Sequence, residues 1–355
     1  MIMVGAMAAA LWGIGTVMKA PYHARWTMLG ILLVSVMVLH VVLPAGHPLR
    51  MATGGDARLW GLLIAFGFIV AAYRRGLARL RARVTPVAAP VVRAGSFSDT
   101  ELNRYARHIV LREIGGPGQK ALRDARVLVV GAGGLGAPAL QYLAAAGVGT
   151  IGVIDDDTVE NANLQRQVIH PDKNIGMPKV HSAAAAMVAQ NPFVTVRPYH
   201  RRLTAEIAAD MFAEYDLVLD GSDNFATRYL VNATAVAQGI PLIAAALTQW
   251  EGQISLYDPA HGTPCYACVF PQAPDPALVP SCAEAGVLGP LPGVIGAMMA
   301  VEAIKQITQA GDGLAGRLLI YDALYAQTRT IAIKPQADCP VCAGKGLTLS
   351  TGVSP

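Results

Sequence analysis

The spacing of apolar and polar positions divides the chain into three regimes. In the first, Met1 to Met18, Thr27 to Leu43 and Leu59 to Tyr73 are apolar stretches that carry no acid and no lysine or arginine. The second and third approach the roughly 20 residues that cross a hydrocarbon core, so they are candidate transmembrane helices. Met1 to Met18 is interrupted by glycine and other small residues, and reads as a third span or a signal-like segment. A stretch rich in proline, glycine and small residues follows, which reads as a flexible linker.

The second regime has the pattern of an α/β domain. Asp99 to Gly115 reads as a helix capped by Ser98 or Asp99, with Leu102, Tyr105, Ile109 and Val110 at helical spacing and Arg104, Arg107 and Arg112 on another face. Gly115, Gly116, Pro117 and Gly118 are expected to end that helix, and Gln119 to Asp124 forms a short second one. Short apolar runs at Val127–Val130, Ile151–Ile154, Val194–Arg197, Asp216–Asp220 and Pro241–Ala245 read as buried strands, and helical segments separate them.

In the third regime Gly252–Tyr257, Gly316–Tyr321 and Arg329–Lys334 alternate like half-exposed antiparallel strands. Gly293 to Gln309 is apolar enough to resemble a span, but Glu302 and Lys305 on it favour a buried core helix. The expected fold is therefore α/β: a Rossmann-like mixed sheet with an antiparallel extension, preceded by N-terminal transmembrane helices. The expected organisation is a membrane anchor over residues 1–83, a linker over 84–97, a nucleotide-binding domain over 98–345 and a tail over 346–355.

Charge changes the picture in one place. The net charge is only +4 over 355 residues, and much of the basic excess lies in Arg74–Arg83. That excludes the global basicity of a nucleic-acid binder. Immediately after an apolar span, the run reads instead as a juxtamembrane segment facing anionic lipid. The positive-inside rule then puts the bulk of the chain on the cytoplasmic side of the inner membrane.

The chemistry starts at the first buried strand. Val127–Val130 runs into Gly131, Gly133, Gly134 and Gly136 and then into an alanine-rich helix. Glycines there allow a tight turn and a close approach of backbone to phosphate, and the helix behind aims free N–H groups and its positive dipole end at an anion. Asp155 ends the next strand at about the separation where dinucleotide folds place a ribose-binding acid. Arg166, in the stretch Asn163–Gln167, suits a triphosphate, because guanidinium pairs with phosphate oxygens by two parallel bonds. Lys179 opens a helix, where a lysine gains nothing from the dipole; a phosphate partner or chance surface placement explains it. Asp223 follows a third strand at the carboxyl end of the sheet, with Asn224 beside it, and is placed to meet the nucleotide or to cap the next helix.

All five cysteines lie in the last third of the chain. Cys265/Cys268 and Cys339/Cys342 form two C-x-x-C pairs, the pattern of a Cys₄ zinc site that would pin the C-terminal tail to the domain. Such a site is closed, so the zinc would be structural. Cys282 remains, in a proline-rich stretch that reads as a loop crossing the sheet; it is either incidental or a nucleophile.

RYARHIVL, GAGGLG, the aspartates after the second strand, NLQRQ, PK, DGSDN, CYAC, CAEAGV and CPVC occur in order. Over about Leu102–Gly344 the chain thus resembles the ThiF/MoeB/HesA family, relatives of ubiquitin-activating enzymes that adenylate small sulfur-carrier proteins. The resemblance implies ATP and Mg²⁺ as cofactors beside Zn²⁺. It implies that Gly131, Gly133, Gly134 and Gly136 line the nucleotide, Asp155 holds the ribose, Asn163, Arg166 and Lys179 contact the triphosphate, and Asp223 with Asn224 completes the site at the metal. It further implies a homodimer in which Arg107 crosses into the neighbour's ATP site, and a carrier ending in Gly-Gly as partner, for sulfur transfer in molybdopterin or thiamin biosynthesis. Cys282 matches a loop cysteine that forms a covalent link to the carrier in some members and not in others. Membrane segments depart from the soluble members. Two other functions compete with adenylylation: an NAD-dependent oxidoreductase, which the glycine turn and Asp155 alone would permit, and a non-enzymatic membrane scaffold.

Overall fold

The computed structural model describes residues 2–44, 46–54, 56–83, 96–274 and 285–343, so Cys282, most of the expected linker and the expected tail lie outside the described residues. The chain divides into two compact units, Met1–Ala88 and Ala89–Pro355.

The first unit is helical: α1 (Ile2–Val17), α2 (Tyr22–Val42), the short α3 (Pro48–Ala52) and α4 (Ala57–Arg83). Val4, Val36 and Trp60 meet in a small buried contact. The turn after α3 is tied to its neighbours by a Trp60 indole N–H donating to the Thr53 carbonyl at 3.1 Å and by His40 Nε2 at 3.0 Å from the Thr53 hydroxyl. Most of the remaining apolar side chains, among them Ile31, Val34, Phe66, Phe68 and Ile69, point outward. Tyr22–Val42, with mean hydropathy 1.9, and Arg58–Gly76, with 1.3, are long and apolar enough to cross a membrane. At 16 residues α1 is shorter.

The second unit is built on one eight-stranded sheet of order β3-β2-β1-β4-β5-β6-β7-β8. Its strands are β1 (Arg126–Val130), β2 (Thr150–Ile154), β3 (Thr195–Tyr199), β4 (Leu217–Asp220), β5 (Leu242–Leu247), β6 (Glu251–Tyr257), β7 (Arg317–Asp322) and β8 (Gln327–Ala332). The first five pair in parallel and the last three run antiparallel. The period of two along a strand explains the layers. Val127, Val129, Ile151, Val153, Leu217 and Leu219 pack on one face against α7 (Gly136–Ala146), α8 (Lys179–Gln190) and a long C-terminal helix (Pro290–Thr308, α12 below). Leu128, Val130, Ile154 and Val218 pack on the other against α9 (Ala205–Phe212) and α10 (Phe225–Gln238).

α12 is a core helix, as its charges imply. Glu302 is buried, accepts from Lys305 Nζ at 2.7 Å and from the Leu314 N–H at 2.8 Å, and so leaves no orphan charge.

The N-terminal end of this unit departs from the expected pattern. Ser98 caps α5 (Asp99–Ile109) in a reciprocal pair with Glu101, but the helix stops at Ile109, and Gly115–Gly118 opens α6 (Gly115–Asp124) instead of closing α5. Leu102 and Val110, expected on a buried stripe, are exposed; Tyr105 alone on α5 is buried. Its ring lies over Gly147, where a Cβ would collide with it, and its hydroxyl accepts from Asn191 Nδ2 at 2.8 Å. One aromatic anchor replaces a stripe because α5 lies on the surface of an already closed layer. The four-residue α11 (Tyr266–Val269) carries one of the cysteine pairs.

Candidate nucleotide site and cysteine cluster

Parallel pairing sends the carboxyl ends of β1, β2 and β4 to the same edge of the sheet, and the candidate residues collect there. The turn after β1 is tight. Gly131 has φ +94°, its N–H donates to the Ile154 carbonyl at 2.9 Å, and a Cβ on Gly136 would overlap the Gly131 carbonyl oxygen. Gly133 has room by contrast, its nearest neighbour for an added Cβ being Gln167 Nε2 at 3.7 Å. The N–H groups of Gly133 and Gly134 have no protein acceptor among the described residues.

Asp155 is half-buried and braces this turn: Oδ2 accepts the Ala132 N–H at 2.7 Å, and Oδ1 accepts the Asp157 N–H at 2.8 Å. Burial raises its pKa above the usual carboxylate value, against the pull of the Ala132 N–H and of the Lys179 charge. Each oxygen keeps a further lone pair for a ligand hydroxyl.

Lys179, at the start of α8, is buried, and its Nζ lies 2.7 Å from Asp157 Oδ2; its backbone N–H also donates to the Asp157 carbonyl at 2.9 Å. It is therefore no chance surface lysine. Arg166 lies with its Cδ 3.8 Å from the position of a Cβ on Gly134, and its Nη2 donates to Asn163 Oδ1 at 3.0 Å. The structure thus brings the glycine turn, Asp155, Asn163, Arg166 and Lys179 around one edge.

Asp223 is exposed, on the loop from β4 whose Gly221 and Ser222 backbone lies against Gly131. It does not cap α10. Asn224 does, with Oδ1 accepting the Thr227 N–H at 2.9 Å, so the Asp223 carboxylate is left without a capping role while Asn224 keeps its amide N–H groups and one lone pair of Oδ1 for a ligand. The loop is held from behind by Arg228, a buried guanidinium that donates to the Ala245 carbonyl at 2.8 Å and to the Ser222 carbonyl. Arg107 is exposed on α5.

Two supporting residues, His170 and Ser182, escape a reading of the sequence; Asp157 lies in the run of aspartates after β2 without a role of its own, and Arg228 leaves a local trace as a lone arginine on the apolar side of α10 just after DGSDN.

The two C-x-x-C pairs meet. Sγ of Cys265 lies 3.9 Å from that of Cys268 and 3.6 Å from that of Cys339, Cys268 lies 3.4 Å from Cys342, and all four are buried. Tetrahedral zinc with bonds of about 2.3 Å sets sulfurs about 3.8 Å apart, so the donor set fits such a metal. The Gln336 N–H, 3.4 Å from Cys268 Sγ, and Asn232 Nδ2, 3.8 Å from Cys265 Sγ, add weak donors that suit thiolates.

Known proteins bear on this arrangement. Residues 105–341 match the ThiF family. The SAMP-activating enzyme E1 of Haloferax volcanii is 49% identical over 252 residues, which are 71% of this chain and 93% of that protein. The sulfur carrier protein adenylyltransferase of Thermus thermophilus is 50% identical over 250 residues, 69% of this chain and 92% of that one. The probable adenylyltransferase/sulfurtransferase MoeZ of Mycobacterium tuberculosis is 50% identical over 250 residues, and the match spans only 64% of its length. In fold, the chain is similar to Escherichia coli MccB solved with ATP, at TM-score 0.56 and 23% identity over 63% of this chain and 69% of that one. With its glycine turn, its basic pair and three of its four clustered cysteines inside the matched residues, this chain belongs to the ThiF family.

Proposed function

We propose that this chain catalyses the ATP-dependent adenylylation of the carboxy-terminal Gly-Gly carboxylate of a ubiquitin-like sulfur carrier. A relative at 50% identity is named a sulfur carrier protein adenylyltransferase and one at 49% a SAMP-activating enzyme E1, and one observation in the structure supports the reading most directly. Arg166 and Lys179, a guanidinium and a buried ammonium, flank a turn with open backbone N–H groups. A dinucleotide's pyrophosphate sits on a helix N-terminus and glycine N–H groups without such side chains, whereas two cationic donors beside the turn suit a triphosphate.

The nucleophile, a carboxylate, is ionised at neutral pH, so no general base is required. One of its oxygens bonds to the α-phosphorus of ATP as the bond to the bridging oxygen breaks, and pyrophosphate leaves with the electron pair. The protein's task is placement and charge. The Gly133 and Gly134 N–H groups point to phosphate oxygens, Arg166 offsets charge at the reacting phosphate, and Lys179 keeps Asp157 with one proton while two remain for the triphosphate. Asp155 holds the ribose with its remaining lone pairs, and Asn163 keeps the Arg166 fork in orientation. Mg²⁺ at Asp223, with Asn224 beside it, would neutralise charge on the leaving pyrophosphate. In a homodimer, Arg107 of a second copy completes the basic set. Downstream, the sulfur of an external sulfide-level donor bonds to the acyl carbon of the adenylate as the bond to the AMP oxygen breaks and AMP leaves, giving a thiocarboxylate for molybdopterin or thiamin synthesis.

The cysteine cluster is a closed Cys₄ zinc site that fastens the C-terminal segment to α10 and α11. Residues 1–83 form a membrane anchor of α2 and α4, with or without α1; the outward apolar faces and the arginines after Tyr73 favour an inner-membrane location with the catalytic unit facing the cytoplasm. The test is ATP–pyrophosphate exchange by the full chain, which should depend on a carrier ending in Gly-Gly. Tight NAD binding with no exchange would overturn the reading.

A further inference from the structure

The peptide between Gly131 and Gly133 is fastened at both ends. Asp155 takes its Ala132 N–H, and on the opposite side His170 Nε2 lies 2.9 Å from the Ala132 carbonyl. His170 is itself buried, with Nδ1 3.0 Å from the Ser182 hydroxyl, and Asn174 Nδ2 donates to that hydroxyl at 3.0 Å. The donors fix the proton positions. A carbonyl only accepts, so Nε2 carries the hydrogen; Nδ1 of the neutral ring then accepts from Ser182, whose oxygen accepts from Asn174. Of the two neutral tautomers, only this one satisfies all three bonds.

The ring also joins three segments. His170 stands four residues after Arg166, and Ser182 lies on α8 one turn beyond Lys179. We propose that His170, as the neutral Nε2–H tautomer, is a positioning residue that sets the glycine turn against Arg166 and Lys179, so that the Gly133 and Gly134 N–H groups are aimed at the nucleotide's phosphates. This rests on the turn being the nucleotide seat.

Two amides separate the ring's two contacts. In His170→Gln the amide nitrogen takes the place of Nε2 and keeps the bond to Ala132. In His170→Asn the amide takes the place of Nδ1, keeps Ser182 and abandons Ala132. The full-length proteins are compared for binding of a non-hydrolysable ATP analogue and for thermal unfolding. H170Q should bind within about threefold of wild type and H170N about tenfold more weakly, the worth of one hydrogen bond, while both lose similar stability. Equal affinity for H170N and wild type would overturn the proposal, as would losses of affinity that run parallel to stability in both variants. If H170N does not fold, Ser182→Ala, which frees the ring to turn, should weaken the analogue about threefold and speed hydrogen exchange at Gly133 and Gly134; no change in either also overturns it. Failure of the wild type to bind the analogue would instead overturn the nucleotide seat itself, and the role of His170 with it.

Discussion

Adding one methyl group at two places in the glycine turn separates fold from function. Gly136→Ala would drive a Cβ into the Gly131 carbonyl oxygen, a backbone atom that cannot move without opening the turn. Overpacking of that kind costs about 1–3 kcal/mol or more, and the urea unfolding midpoint should fall accordingly. Gly133→Ala meets nothing closer than Gln167 Nε2 at 3.7 Å, an ordinary van der Waals distance, and Gly133 is not among the glycines with positive φ. Alanine there should be neutral or stabilise by about 0.4–1 kcal/mol through the unfolded chain. Yet its methyl occupies the open side where a phosphate would approach, and a displacement of about 1 Å at the reacting centre costs on the order of 100-fold. Urea unfolding and ATP–pyrophosphate exchange on the same preparations give both numbers. A Gly133→Ala protein that is stable and exchanges with unchanged kcat and KM would refute the reasoning, because the turn would then be a packing feature without a nucleotide on it.

Arg166→Ala should lower adenylate formation by about 10²–10³-fold while shifting stability by no more than about 0.5 kcal/mol, since the guanidinium's own partners are Asn163 Oδ1 and the Ala162 carbonyl at the surface; near-normal exchange contradicts its phosphate role. Cys339→Ser should release bound zinc, read by elemental analysis, and lower the unfolding midpoint, because a structural zinc contributes about 10 kcal/mol or more of folding free energy in small domains against a net stability of about 5–15 kcal/mol; unchanged metal content refutes the Cys₄ site. His170 has its pKa lowered by burial, with the Lys179 charge lowering it further and the Ala132 bond and Asp155 opposing. The group is neutral in the fold, so its contribution is fully present above the unfolded value of about 6.5 and is lost as pH falls toward the folded one. Unfolding from pH 8 to 5 should show the stability difference between wild type and H170Q shrinking by up to about 1.4 kcal/mol per pH unit; a constant difference would mean the ring does not titrate on unfolding.

Much of the fold was legible along the chain because its signals are local. The continuous apolar runs of β1, β2 and β4, the alternation on β6 and β7, the glycines after Val130, and charges on an otherwise apolar α12 each report their own element, and the sheet with its antiparallel extension follows. The N-terminal helix was harder to read. Leu102 and Val110 have helical spacing but lie outside, since α5 meets the closed layer mainly through Tyr105. Asp223 and Asn224 are equally good caps by residue type, and the path of the backbone into α10 chose Asn224.

By itself, then, the sequence determined the residue types: a glycine turn, a guanidinium, a lysine that the helix dipole does not explain, two thiol pairs, and apolar segments of membrane-spanning length. Tertiary structure decided which of them act together. Lys179 is held by Asp157, 22 residues earlier in the chain, Ala132 is gripped by Asp155 and His170 from opposite sides, and Cys265 meets Cys339 only after the sheet is complete. Those partnerships depend on strand order and helix packing, which bring distant residues within 4 Å of one another in ways no local period encodes.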